Sequence, residues 1–171
     1  MDRKEKTWWR DPFLLSTLAL VLLLMGLIFY FSSQTGEQSG DTSGAIVSFL
    51  ISRLYADYDQ LPPTHRAELL HRLTLVVRKT AHLLEFAALG FALRLHLQAV
   101  GRWRSVARPQ LLAWGIGTLY AAADELHQLF SADRAPRLFD VSIDSLGVLL
   151  GVLFFLLCAW LLHHNNRGKQ Y

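Results

Sequence analysis

Three stretches of this 171-residue chain place ionisable side chains at helical spacing beside long apolar runs. Arg78, His82 and Glu85 stand at i, i+4 and i+7, one face of a helix, with Lys79 to one side of it. Asp124, His127 and Gln128 share a second face, with Glu125 beside it and Tyr120 one turn earlier. Asp140 and Asp144 share a third with Gly147 and Gly151. His82 and His127 together with Glu85, Asp124, Glu125, Asp140 and Asp144 are the donor types of a divalent metal site, or of an acid and base that pass a proton. Arg78, Lys79, Arg134 and Arg137 suit a phosphate or carboxylate. Ser33 and Gln34, just beyond another apolar run, add neutral hydrogen-bonding groups. Together these residues read as a site for an anionic head group carrying phosphate or pyrophosphate, with a divalent metal as the candidate cofactor. The competing reading is an ion-pair network that only fixes helix register. Charges at membrane depth are costly, so stability alone is a weak reason to gather this many. No His-x-x-x-His pair or other general zinc pattern accompanies them.

The elements that position these groups are apolar helices. Phe13 to Phe31 carries no charge and is long enough to cross a bilayer. Arg3, Lys4, Lys6 and Arg10 before it resemble the basic start of a signal peptide, but no small-residue cleavage pattern follows, so a retained helix is expected. Further spans are expected at 76–100, 111–130 and 141–162, the second being the least apolar. Between the first two, Gly36, Gly40 and Gly44 among Ser and Thr read as loop. Ile46, Val47, Phe49, Leu50 and Leu54 fit a short amphipathic helix over 45–55, lying at the membrane surface or packed on the bundle. Pro62-Pro63 marks a break, after which Thr64 can cap a helix that runs on into the second span. The expected fold is therefore all-α and polytopic, with four transmembrane helices and a short interfacial helix between the first and second. It forms a single domain over 13–162 with tails at 1–12 and 163–171.

Composition narrows the function. The single cysteine, Cys158, excludes an internal disulfide framework and a cysteine-based zinc site. The net charge of +3 comes from basic residues interleaved with apolar helices, so no basic soluble face for nucleic acid is expected. His65, His71, His96, His163 and His164 read as interfacial or solvated positions. Trp8, Trp9, Trp103 and Trp114 read as an aromatic belt.

Lys and Arg set the orientation. They concentrate before the first span, at Arg94, Arg102, Arg104 and Arg108 between the second and third, and at Arg167 and Lys169 after the fourth. By the positive-inside rule both termini and the 94–108 region are cytoplasmic. The ends holding Ser32-Ser33-Gln34, Arg78 to Glu85, Asp124 to Gln128, and Asp140 with Asp144 then meet in one layer, on the outer side.

Taken in order, these pieces resemble the VanZ-like membrane protein family. They are Phe31-Ser32-Ser33-Gln34, then Arg78-Lys79-Thr80-Ala81-His82-Leu83-Leu84-Glu85-Phe86, then Asp124-Glu125-Leu126-His127-Gln128-Leu129-Phe130. Arg137, Asp140, Asp144, Gly147 and Gly151 follow at the family's usual spacing. Phe86 stands where members often have Tyr, and Asp144 where Asn is common. The resemblance spans about 13–162 and implies a multi-pass protein of a bacterial inner membrane, with a link to low-level teicoplanin resistance. It supplies no reaction. Three functions follow: an enzyme or binder acting on a phosphate-bearing envelope lipid or glycolipid; a non-catalytic shielding module or partner subunit; and a small transporter. The transporter ranks last, because the charges gather at one end rather than at the midplane typical of carriers.

Overall fold

The computed structural model describes residues 11–34, 36–101, 107–128 and 138–167, with 36–42 and 166–167 described by backbone alone. All regular structure among them is helical. Helix α1 runs Pro12–Ser32, α2 Gly36–Leu54, α3 Pro63–Val100, α4 Arg108–His127 and α5 Leu138–Arg167, with one 3₁₀ turn at Tyr58–Gln60.

Local chemistry sets several of these boundaries. Asp11 caps α1 by accepting from the Phe13 amide at 3.0 Å, and Pro12 supplies the preset first turn. Helix α3 starts at Pro63 and ends at Gly101, whose φ of 67° is the left-handed conformation that closes helices. Its start corrects one expectation: Pro62 holds the N-cap position and Thr64 lies inside the first turn. The expected run into the second span is observed as one continuous helix. A second correction concerns α2, which includes the glycine-rich stretch expected to be loop. Val47 and Ile51 on this helix are buried, and α2 packs against α3.

Helices α1, α3 and α5 are long and apolar enough to cross a membrane, and α4 is not. The span expected to be least apolar was the second, yet the third falls short, diluted by Gln110, Gly115, Gly117, Asp124 and Glu125. Gly117, Asp124 and Glu125 are buried within the bundle. The outer faces are the reverse. Leu22, Leu23, Phe29, Leu153, Phe154, Trp160 and Leu162 are all more than half exposed or close to it. A surface this apolar belongs in lipid.

Helix α3 is the hub and packs against all four other helices. The side-chain contacts give each pair its direction. Thr17 near the start of α1 bonds His96 near the end of α3, so these two run antiparallel. Tyr120 donates to the Met25 carbonyl, and Gln128 to Ser32, so α1 and α4 run parallel. Lys79 pairs with Asp140, and Phe91 stacks near Phe154 and Phe155, so α3 and α5 run parallel. Trp114 and Thr118 both meet Ser145, which joins α4 to α5, and the three directions above make these two helices run in opposite senses. Lipid supplies little hydrophobic drive between helices, so close packing has to hold them together. A Cβ added at Gly147 would lie 2.5 Å from the Leu83 carbonyl, and one at Gly151 1.9 Å from that of Ala87. Gly90 answers from α3, against the Val148 carbonyl. Phe86, Leu89, Ile28, Val148 and Val152 fill the core between these contacts.

Candidate functional site

The alternating helix directions bring the end of α1, the first apolar turns of α3, the end of α4 and the start of α5 to one end of the bundle. A pocket opens there, lined by Arg78, Lys79 and His82 of α3, Glu125 and Gln128 of α4, and Asp140, Ile143 and Asp144 of α5. It encloses about 370 Å³ with its open mouth included. Seven of its eight lining residues are polar or charged, in a chain whose outer surface is largely leucine and phenylalanine.

The charges in the pocket are unequally matched. Lys79 is ion-paired with Asp140 and also lies over the Phe139 ring, 5.1 Å from its centre. Both partners of that pair are partly exposed. Arg78 makes no ion pair with any described residue, although it lines the same wall. Asp124, Glu125 and Asp144 are each at most 5 % exposed. Asp124 lies within electrostatic reach of Ser32, Gln128, Glu125 and His127, yet neither of its oxygens completes a well-shaped hydrogen bond among the described residues. One Glu85 oxygen is buried without a partner among the same residues.

Spacing placed Asp124, His127 and Gln128 on one face, and the structure divides their tasks. Gln128 lines the pocket and donates to Ser32 at 3.2 Å, inside the bundle. His127 lies against α1, its ring 4.5 Å from that of Phe29 and its Nε2 3.4 Å from the Ser33 hydroxyl. His82 is therefore the histidine that lines the pocket. Ser33 is exposed and also donates to the Phe29 carbonyl at 2.7 Å. Gln34 is half-buried just past the helix end and does not line the pocket. Gly147 and Gly151 lie one and two turns below Asp144 and seat α5 against α3. Arg134 and Arg137 lie outside the described residues.

Two residues important to this end were named in the sequence but given no role there. Ser32 is fully buried and ties Gln128 to α1. Its position one turn after Ile28, on the buried stripe of α1, was the available signal. Tyr120 anchors α4 to the Met25 carbonyl at 2.7 Å and lies 6.2 Å from the Phe86 ring. His96, read as interfacial, bonds Thr17 at the far end of the bundle. As for a divalent metal, no group of three or more His, Cys, Asp or Glu side chains among the described residues is arranged to hold one.

Fold and pocket together define a helical membrane protein with a charged pocket set between its helices. The chain belongs to the VanZ/LLP1 family, whose model matches residues 17–160. No curated protein and no solved structure matches it.

Proposed function

We propose that this chain is a bacterial inner-membrane protein that crosses the bilayer four times, with cytoplasmic termini. In this reading its outer pocket binds the anionic, phosphate-bearing head group of an envelope lipid or glycolipid. The observation that carries the reading is Arg78, a pocket-lining guanidinium without an ion pair among the described residues. An unmatched arginine at the edge of a lipid-facing bundle suits a phosphate, which it can grip with two parallel hydrogen bonds. Lys79 is a weaker candidate, because Asp140 already occupies it. The outward orientation rests on the Lys and Arg distribution, and α4 is taken as a fourth span because its neighbours run in alternating directions.

The test is titration of the detergent-solubilised full chain with phosphatidylglycerol, read by native mass spectrometry. Wild-type protein should bind it, and Arg78→Ala should weaken binding about tenfold, the worth of one charge-assisted hydrogen bond. Equal binding by both proteins would remove the reading. The family's link to teicoplanin is addressed by expressing the same two proteins in a susceptible cell. Protection by the wild type alone would tie it to this pocket.

Chemistry on the bound lipid is a second reading, favoured by one observation. His82 and Glu125, an imidazole and a carboxyl, line the same wall system as Arg78. They are the pair that would move a proton, rather than the more distant His127. Loss of turnover in His82→Gln with lipid binding kept would establish it.

A further inference from the structure

An anion on Arg78 accounts for only one sign of charge in this pocket. Asp144 is the unexplained group. It is 4 % exposed, lines the pocket, and makes no hydrogen bond or ion pair with any described residue. Two other carboxyl groups, those of Glu125 and Asp140, line the same pocket. Neither fixed cation of the pocket forms an ion pair with it: Lys79 serves Asp140, and Arg78 pairs with no described residue. A largely buried carboxyl beside other carboxyls is best matched by a positive partner or a donated hydrogen bond. A bare metal ion placed there would share the cavity with the Arg78 guanidinium. A single small group carrying both signs meets both walls at once.

We propose that the head group recognised by this pocket is zwitterionic: a primary ammonium held by Asp144 beside a phosphate or carboxylate held by Arg78. This rests on the head-group reading above and narrows it. The shared chemistry has two sources. One is an aminophospholipid, in which ammonium and phosphate are joined by two carbons. The other is the amino-acid or peptide portion of an envelope glycolipid, in which ammonium and carboxylate are neighbours. Both place opposite charges a few bonds apart.

The experiment uses the solubilised full chain and three lipids: phosphatidylethanolamine, the same lipid with its amine acetylated, and phosphatidylglycerol. Wild-type protein should prefer the free amine over the acetylated one by about tenfold, the scale of one hydrogen bond to a charged group. In Asp144→Asn, which keeps the shape of the side chain, that ratio should fall to within about twofold, because a neutral amide no longer attracts the ammonium. Equal binding of the two amine forms by wild-type protein overturns the proposal without any variant. Should that happen while Arg78→Ala still loses phosphatidylglycerol, the head-group reading stands and only the zwitterion falls. Should Arg78→Ala change nothing and the two amine forms bind alike, both readings fall. A free amino acid that displaces phosphatidylethanolamine supports the peptide source; retention of phosphatidylethanolamine against a free amino acid supports the lipid source.

Discussion

At the scale of single residues, the Lys79–Asp140 pair controls how much positive charge the pocket can offer. Both side chains are partly exposed, so the pair contributes at most about 1 kcal/mol after solvent screening. Asp140→Asn releases Lys79. We expect it to tighten phosphatidylglycerol binding by up to about fivefold, measured by the same titration. Unchanged or weaker binding would mean that Lys79 does not reach the ligand. Tyr120 makes a different kind of contribution. Its hydroxyl fastens α4 to a backbone carbonyl of α1. Tyr120→Phe should cost about 1 kcal/mol, seen as a lower unfolding temperature in detergent, while leaving the ring contact with Phe86 in place. Spacing found the polar face of α4 but not that His127 would meet α1 while Gln128 lines the pocket, and the reason is geometric. A stripe that includes Asp124, His127 and Gln128 is wide enough to touch two neighbours in a bundle. Sequence says which side of the helix a residue occupies and not which partner it meets there. Ser32 could be placed at this end but not paired, for the same reason, since only the packed bundle shows that it meets Gln128.

At the scale of elements, the joint between α3 and α5 is the tightest in the molecule among those the glycines report. Gly151→Ala would force its new methyl onto the Ala87 carbonyl, and Gly147→Ala onto that of Leu83. Backbone cannot step aside as a side chain can, so α5 would have to move. Each change should destabilise by about 1–3 kcal/mol, and both should weaken head-group binding by shifting Asp144. Gly26→Ala and Gly115→Ala are the controls, because nothing lies within 4 Å of a Cβ at either position. Thermal unfolding of the four variants checks this: equal behaviour of the two sets would mean that the joint is loose. The four long helices were readable from their apolar runs and from Pro and Gly at their limits. Helix α2 was not. Glycine costs about 1 kcal/mol per position in a helix, so Gly36, Gly40 and Gly44 argue locally for loop. The stretch continues into a stripe that buries Val47 and Ile51, with α2 set against α3, and tertiary packing overrides propensity. Gly44 itself has open space at its missing Cβ, so close approach is not its reason for being glycine.

At the scale of the whole molecule, alternating helix directions and the Lys and Arg distribution together predict which residues face which compartment. In a Cys158→Ala background, a cysteine replacing Asp57 should react with a membrane-impermeant thiol reagent added to intact cells. One replacing Asn165 should react only after the membrane is opened. Both positions are exposed. The reverse pattern would place the pocket on the cytoplasmic side, and reaction of both in intact cells would remove α4 as a span. One further consequence comes from the length of α3. Its 38 residues form a single rod of about 57 Å, well beyond the thickness of a bilayer's hydrocarbon core. Glycine contacts pin it near Leu83 and Ala87, and the stretch from Pro63 to that point is an arm of about 30 Å. Arg78, Lys79 and His82 sit on this arm close to the pivot. A small sideways push at the Pro63 end therefore acts as torque on one wall of the pocket, with α2 lying alongside as the natural place to apply it.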